Sequence, residues 1–368
     1  MKNIKKQIRS LYLLGVFSKL SLTGAWVAIL AARGYSLIEI GIAETVFHIA
    51  SLLFEIPSGV LADVFGRKNM LIVSAIMRMV GNIIMVFSCN FFMICVSLAF
   101  DALSYNFMSG SDDALAYDSL KKVSKETYYE KYVSYQMIIY RICSAIATLS
   151  AGFALLIGYK LSYGINIIIA TVQLGILTSI SEVRINKEVE NTKRSIIGII
   201  RKEIIDCFVM SISFLKNAKK AVLLMICNSL VGAFDVLLLF FLQAKLKDAG
   251  MQNWKLGIGL FFMEMGGILG AKIILKCKNM RYRNIFIIAT TLVLSGVLVE
   301  HSGKWFIMII GGFIAALSDD ALQIRTNALL QDMFPSEQRA TLISIDSFIF
   351  SMLMIVLSPL AGWFYSWW

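Results

Sequence analysis

Charge is scarce in this chain. Of its 368 residues only 16% are Asp, Glu, Lys or Arg and 58% are hydrophobic, whereas a soluble domain carries about 25% charge and roughly 45–50% apolar residues. That excludes a disordered chain, which cannot bury enough apolar surface to order itself, and it excludes an ordinary cytosolic enzyme. Proline is rarer still, at 3 residues, so a collagen-like fibre is excluded. Six cysteines, most of them inside apolar runs, are too sparse for a disulfide scaffold. The two histidines, His48 and His301, lie far apart, and no Cys/His spacing suggests a metal site. There is no Gly-Lys-Ser/Thr phosphate loop, so ATP-driven pumping has no support, and no nucleophile–base pairing stands out. No cofactor is implied.

What is abundant is uninterrupted apolar sequence. About 20 apolar residues cross a bilayer as a helix, and eleven such runs occur, at 8–32, 36–61, 69–89, 91–118, 132–158, 161–181, 221–244, 253–275, 284–300, 305–331 and 338–361. Their length and continuity predict helices, because barrel strands would appear as segments of roughly ten alternating residues. Lys2, Lys5, Lys6 and Arg9 precede a first run too long for a signal-peptide core, so this helix is expected to remain as an anchor. The formal net charge of +11 would point to nucleic acid in a soluble protein. Between membrane spans it reads as a topology signal instead, and no nucleic-acid partner is expected. With the N-terminus inside, the cytoplasmic connections hold 24 of the 35 Lys and Arg and the opposite ones 6. The chain is therefore an all-α, multi-pass membrane protein with a cytoplasmic N-terminus.

The longest connection, 182–220, is rich in Lys and Arg and divides the chain into a six-span half, 1–181, and a five-span half, 221–368. Within it Ile196, Ile200 and Ile204 recur every four residues among Lys202, Glu203 and Asp206, which predicts an amphipathic helix on the membrane surface. An internal echo supports two related halves. Ser111-Asp112-Asp113-Ala114-Leu115 in the fourth span recurs as Ser318-Asp319-Asp320-Ala321-Leu322 in the tenth, the position a six-span repeat requires. Repeats of this kind are the usual architecture of secondary transporters, with the substrate site near the midplane.

The loop after the second span reads Gly59-Val60-Leu61-Ala62-Asp63-Val64-Phe65-Gly66-Arg67-Lys68, a G-x-x-x-D-x-x-G-R-K pattern. It resembles the signature loop of the major facilitator superfamily (MFS), in the place where that family carries it. The stretch 55–63 and Ala116-Tyr117-Asp118-Ser119-Leu120 resemble its bacterial drug-efflux branch. Physically, Gly59 and Gly66 permit close approach and a tight turn. Arg67 and Lys68 hold the loop inside, and Asp63 can accept hydrogen bonds. The resemblance implies the MFS fold of two helical bundles and an ion pair between Arg67 and Asp118. That pair would latch the cytoplasmic ends closed; the alternative is that Arg67 and Lys68 only set topology. Two departures stand out. The fifth span has no Gly-Pro ending where proton-coupled drug antiporters of the family carry one, and eleven spans are found where the family has twelve.

Ionisable residues within spans are costly unless paired or wet, on the order of 2.5–3.5 kcal/mol on insertion scales. Here they fall in stripes. Glu44, His48 and Glu55 share one face of the second span, Asp101 and Asp112 one face of the fourth, and Lys19, Thr23 and Trp26 one face of the first. Asn228 and Asp235 line up in the seventh span, and Asp320, Asn327 and Gln331 in the tenth. The resemblance places all these spans around a central cavity, together with Arg141, Glu264 and Asp346. Arg78 does not fit the stripes and is expected to prop the bundle from behind.

The candidate cavity lining is thus Lys19, Trp26, Arg141, Asp235 and Glu264. Asp101, Glu44 and His48 are the candidates for proton coupling, with Asp101 alternatively a structural ion-pair member and His48 a satisfied interior histidine. Asp112, Asp113, Asp319 and Asp320 read as structural, pairing with Arg141 and Arg325. The acidic excess and Trp26 suit an amphipathic cation or neutral drug. The expected function is efflux of small amphipathic molecules by a monomer in the bacterial inner membrane, driven by the proton gradient. Uptake by symport, a truncated non-transporting remnant and a membrane-embedded lipid enzyme are the alternatives.

Overall fold

In an apolar environment every peptide N–H and C=O must find a partner within the protein, and helices achieve this locally. The computed structural model is accordingly helical, and it describes residues 2–183 and 218–367 apart from 278, 301 and 334–338, with isolated positions between 184 and 217. The amphipathic helix expected around Ile196, Ile200 and Ile204 lies outside the described residues.

The helices are α1 (Lys2–Lys19), α2 (Trp26–Ala32), α3 (Leu37–Phe65), α4 (Arg67–Phe87), α5 (Phe91–Met108), α6 (Ser111–Lys121) and α7 (Tyr129–Leu149). They continue as α8 (Ala151–Ile157), α9 (Tyr159–Thr178), α10 (Lys219–Asp248), α11 (Asn253–Lys276), α12 (Tyr282–Glu300), α13 (Trp305–Met333) and α14 (Arg339–Ser366). Among the described residues 9 helices are long and apolar enough to cross a membrane, or 10 if the α7–α8 pair forms one span. Nine of the eleven expected spans therefore have a spanning counterpart among the described residues, and 132–158 is a tenth if the bent pair is counted as one span. The first, 8–32, is not a single helix: it is broken between Lys19 and Trp26.

That break corrects the stripe of Lys19, Thr23 and Trp26, which assumed one continuous helix. Ser21, Thr23 and Gly24 crowd the interruption, and short hydroxyl side chains compete with helical bonding by binding nearby backbone. The Thr23 N–H donates to Ser21 Oγ at 3.1 Å. Two further spans are interrupted. The fourth breaks at Gly110, whose φ of +73° suits a residue without a Cβ, so α6 starts afresh after α5. The fifth is interrupted at Ser150, one residue before Ala151-Gly152, although it contains no proline; closely spaced Ser and Gly are a recognised cause of such breaks.

Two compact units emerge. Unit 1 comprises Met1–Thr23, Val46–Ala147 and Tyr159–Met210, and unit 2 comprises Gly24–Thr45, Thr148–Gly158 and Ser211–Trp368. Segments 24–45 and 148–158, which precede the long connection in sequence, pack with unit 2. In unit 1, Leu11 and Leu14 of α1 meet Leu71 of α4, Leu115 of α6, Tyr132 of α7 and Leu177 of α9 in one core. In unit 2, Leu238 and Leu242 of α10 join Leu260 and Met263 of α11, Val293 of α12 and Ala315 of α13. Large apolar side chains such as Phe92, Leu298 and Leu53 remain exposed, as expected of helices that face lipid.

Lipid supplies no hydrophobic drive between helices, so packing in unit 2 relies on small residues that let backbones approach. Gly266 and Gly270 of α11, four residues apart, lie against the carbonyls of Phe313 and Leu317 of α13, where a Cβ would overlap the backbone oxygen. Gly270→Val is predicted to destabilise unit 2 by about 1–3 kcal/mol, the usual range for overpacking. It would be read as a lower thermal unfolding midpoint in detergent, whereas Gly175→Ala, at an open helical position, should not lower the midpoint and should raise it slightly.

Candidate functional site

Two places in unit 1 gather polar chemistry. The first is the loop between α3 and α4. Gly66 adopts φ +96° and forms the N-cap of α4, which supplies the tight turn expected of it. The residues that follow it need partners, because the first N–H groups of a helix have none within the helix. Glu182 provides them: its carboxylate accepts from the Arg67 N–H at 3.3 Å and from the Lys68 N–H at 2.8 Å. A negative side chain at this end also suits the helix dipole. Arg67 Nη1 in turn donates to Asp118 Oδ2 of α6, so the expected ion pair is present, half-buried.

The residues around Glu182 are pinned as well. Gln7 of α1 accepts from the Ser181 N–H at 2.9 Å and donates to the Ser181 carbonyl at 2.8 Å and to Ser119 Oγ at 3.3 Å. Gly59 departs from expectation. It sits inside α3 with open space where a Cβ would be, so it permits no close approach among the described residues. The Asp63 side chain lies outside the described residues.

The second place is a cavity of about 630 Å³. Its formation follows from the break in the first span. The carbonyls that α1 leaves unpaired at its end are taken by Arg78 of α4, whose Nη1 donates to Phe17 O at 3.1 Å and Ser18 O at 2.7 Å and whose Nη2 donates to Leu20 O at 2.7 Å. On the other side Asn166 of α9 accepts from the Leu22 N–H at 3.0 Å and donates to Ser21 Oγ at 3.2 Å and Thr23 Oγ1 at 2.8 Å. Irregular backbone in a membrane protein is tolerated where protein or a cavity surrounds it, and here it forms one wall of the cavity.

Arg78 therefore corrects its assignment: it lines the cavity and caps α1. Asp101 lines the cavity too, packed against Gly81 one turn along α4 from Arg78, with the guanidinium as its charged neighbour. Asp112 and Asp113 open α6 on the same cavity, where Asp112 Oδ1 accepts from the Asp113 N–H at 2.9 Å. Their charged neighbour is Lys19, not Arg141. Arg141 is exposed, its guanidinium 6.0 Å from the Tyr140 ring centroid, and it is not among the residues that line this cavity. Lys19, expected as a lining residue, is one, with Nζ 5.7 Å from the Tyr140 ring centroid.

The remaining candidates lie elsewhere. Glu44 and His48 are buried in α3 and do not line this cavity. Trp26, Asp235 and Glu264 belong to unit 2. Trp26 packs edge-on against Phe240 at 5.6 Å, and Glu264 accepts from Thr148 Oγ1 at 2.7 Å. Asp235 of α10 is buried with Asp319 of α13 as an electrostatic neighbour, and the Asp319 carboxylate stands against Gly232. Asp320 and Arg325 lie further along α13. Sequence reasoning missed Asn166 and Gln173 of α9, both lining the cavity. They are neutral amides in a span, and the only available signal was polarity within an apolar run.

Among the described residues no group of His, Cys, Asp and Glu is arranged to hold a metal ion. The polar wall can bind a small solute by hydrogen bonds and charge, and its carboxylates can take up or release protons.

Comparison with known proteins bears on what such a cavity serves. A family model described as Major Facilitator Superfamily matches residues 10–303. An uncharacterized MFS-type transporter of Bacillus subtilis, YxaM, is 21% identical over 347 residues, covering 91% of this chain and 81% of its own. An uncharacterized transporter of Buchnera aphidicola is 29% identical over 115 residues, 31% of this chain and 28% of its own. Among solved structures, a mutant form of the nucleoside transporter NupG superposes with a TM-score of 0.74 at 12% identity, covering 96% of this chain and 90% of its own. The D-xylose-proton symporter gives 0.62 at 12% identity, covering 99% and 88%. At such identities the likeness establishes the fold.

Two outcomes follow from the bonding described. Asn166→Leu leaves the Leu22 N–H and two hydroxyls short of partners, and each such loss costs about 1–3 kcal/mol, so the unfolding midpoint in detergent should fall. Glu182→Ala removes the cap of α4, worth about 1 kcal/mol. Amide exchange at Arg67 and Lys68 should then accelerate by about fivefold, with Glu182→Gln falling between the two.

Proposed function

Because the chain belongs to the Major Facilitator Superfamily, we propose that it is a secondary active transporter which moves a small polar solute through the unit 1 cavity, coupled to protons. The observation that carries this reading is the composition of the wall: Asn82, Asn166, Gln173, Ser104 and the hydroxyls of Ser21 and Thr23 stand beside charged groups of both signs. Such groups can replace the hydration of the polar part of a solute, while Tyr105, Met108, Tyr140 and Ala147 on the same wall offer apolar surface to the rest of it.

Asp101 is the proposed proton carrier. It lines the cavity, and its charged neighbour is Arg78, which also holds the end of α1. A proton on Asp101 would therefore alter the group that fixes the broken span, linking protonation to a conformational element. The Arg67–Asp118 pair is the proposed latch at the end of unit 1 that carries the signature loop. The proposed setting is the bacterial cytoplasmic membrane, with the N-terminus inside, the protein monomeric and the proton gradient as energy source. Efflux by antiport is the proposed direction, motivated by the loop's likeness to exporters. Uptake by symport is the second reading, favoured by the amides, hydroxyls and charges on the wall, which suit a metabolite.

Proteoliposomes loaded with a pH-sensitive dye test this. Candidate polar solutes, including amino acids, xylose and uridine, would be offered under an imposed proton gradient to the wild type and to Asp101→Asn. Solute-evoked proton movement is expected in the wild type and its loss in the variant, with the sign of the pH change separating antiport from symport. Solute movement without proton movement would remove the coupling. Movement of none of the solutes would remove the transport reading itself.

A further inference from the structure

The charges on the cavity wall are not equivalent. Arg78 donates to the backbone carbonyls of Phe17, Ser18 and Leu20, so its donors are committed to the end of the broken span, and it is the charged neighbour of Asp101. Lys19, Asp112 and Asp113 are left. All three line the same cavity and interact electrostatically, yet among the described residues Lys19 forms no ion pair with either carboxylate. The ammonium rests over the Tyr140 ring instead, and Asp113 is exposed to the cavity. Fixed charges of opposite sign therefore face one space without touching.

A separate observation marks this space as a binding site. Gln173 lines the cavity and is 1% exposed, and its buried Oε1 has no hydrogen-bond partner among the described residues. A buried acceptor of this kind calls for a donor, and the cavity that Gln173 lines is where one can enter.

The charge arrangement discriminates between solutes. A purely cationic solute would meet Asp112 and Asp113 but be opposed by Lys19, and a purely anionic one would meet Lys19 but be opposed by two carboxylates. A neutral solute would displace water from all three and pair none of them, which is expensive for desolvated charges. A molecule carrying both charges meets both. We propose that the cavity is a receptor for a small zwitterion, an amino-acid-like molecule whose carboxylate is met by Lys19 and whose ammonium is met by Asp112 and Asp113. Gln173 accepts from a further donor on the same solute. The proposal rests on the reading of this cavity as the solute site and names the class of solute it takes.

Matched derivatives test it on the purified full chain, with binding followed by isothermal titration calorimetry. The probes are the common amino acids, their methyl esters, which keep only the ammonium, and their N-acetyl forms, which keep only the carboxylate. Xylose and uridine serve as neutral probes. At least one amino acid is expected to bind with a Kd lower by on the order of tenfold or more than either of its singly charged derivatives. Lys19→Met should erase the preference over the ester, and Asp113→Asn the preference over the N-acetyl form. Unchanged unfolding midpoints would show that both variants remain folded.

The proposal is overturned if an ester or N-acetyl form binds as tightly as its parent, if a neutral probe binds as tightly as the best amino acid, or if no amino acid binds. Its failure and that of the transport reading are separable. An amino acid that binds with this charge requirement but is not moved in proteoliposomes would sink transport and support the receptor. Transport of uridine or xylose unaffected by Lys19→Met and Asp113→Asn would sustain transport and sink the zwitterion.

Discussion

The organisation of unit 1 depends on how the interrupted first span pairs its backbone. A helix that stops inside an apolar layer strands carbonyls and amides whose burial without partners costs several kcal/mol each. Arg78 takes the carbonyls of Phe17, Ser18 and Leu20, and Asn166 takes the Leu22 N–H and the hydroxyls that follow. With the break held in this way, Ser18, Lys19, Ser21 and Thr23 become cavity wall rather than helix surface. Asp101 can then sit beside the guanidinium that does the holding. Cavity, charge pattern and broken span are consequences of one bonding problem and its solution.

The same requirement shapes the signature loop. The N-terminus of α4 needs an acceptor, and Glu182 supplies it from the start of the long connection. Gln7 clamps the adjacent Ser181 and reaches Ser119, the neighbour of the Asp118 that binds Arg67. Four separate stretches of chain are thus joined at one end of unit 1. The loop motif describes only one of them, and its role as a latch would depend on the other three.

Much of this was legible in the residues. Runs of about 20 apolar residues located nine spanning helices well, because hydrophobic length is a local property. The Arg67–Asp118 pair followed from the motif and its likeness to a family. Helical periodicity failed where it assumed continuity: Lys19 and Trp26 were placed on one face, but the helix ends at Lys19 and Trp26 packs against Phe240 in unit 2. Arg78 was misplaced for a related reason. A lone arginine in a span announces that it needs partners without saying which, and the partners of Arg78 are backbone atoms that exist as acceptors only because α1 stops. Asn166 and Gln173 escaped notice because neutral amides disturb neither the hydropathy nor the charge of a span.

Composition, run length and one contiguous motif were enough to make this a multi-pass helical membrane protein of a recognisable transporter family, with a charged loop after its second span. Each of those signals acts over a few turns of chain, so the order of residues carries it directly. Where the first span breaks, which acids share a cavity and which cation is left to face them emerged only from the packing of the folded chain. Leu22 finds its partner 144 residues away and Arg78 reaches back about 60. Pairings at such separations depend on which helices lie side by side, and hydrogen bonding in an apolar interior then selects the one arrangement that leaves the fewest polar groups alone.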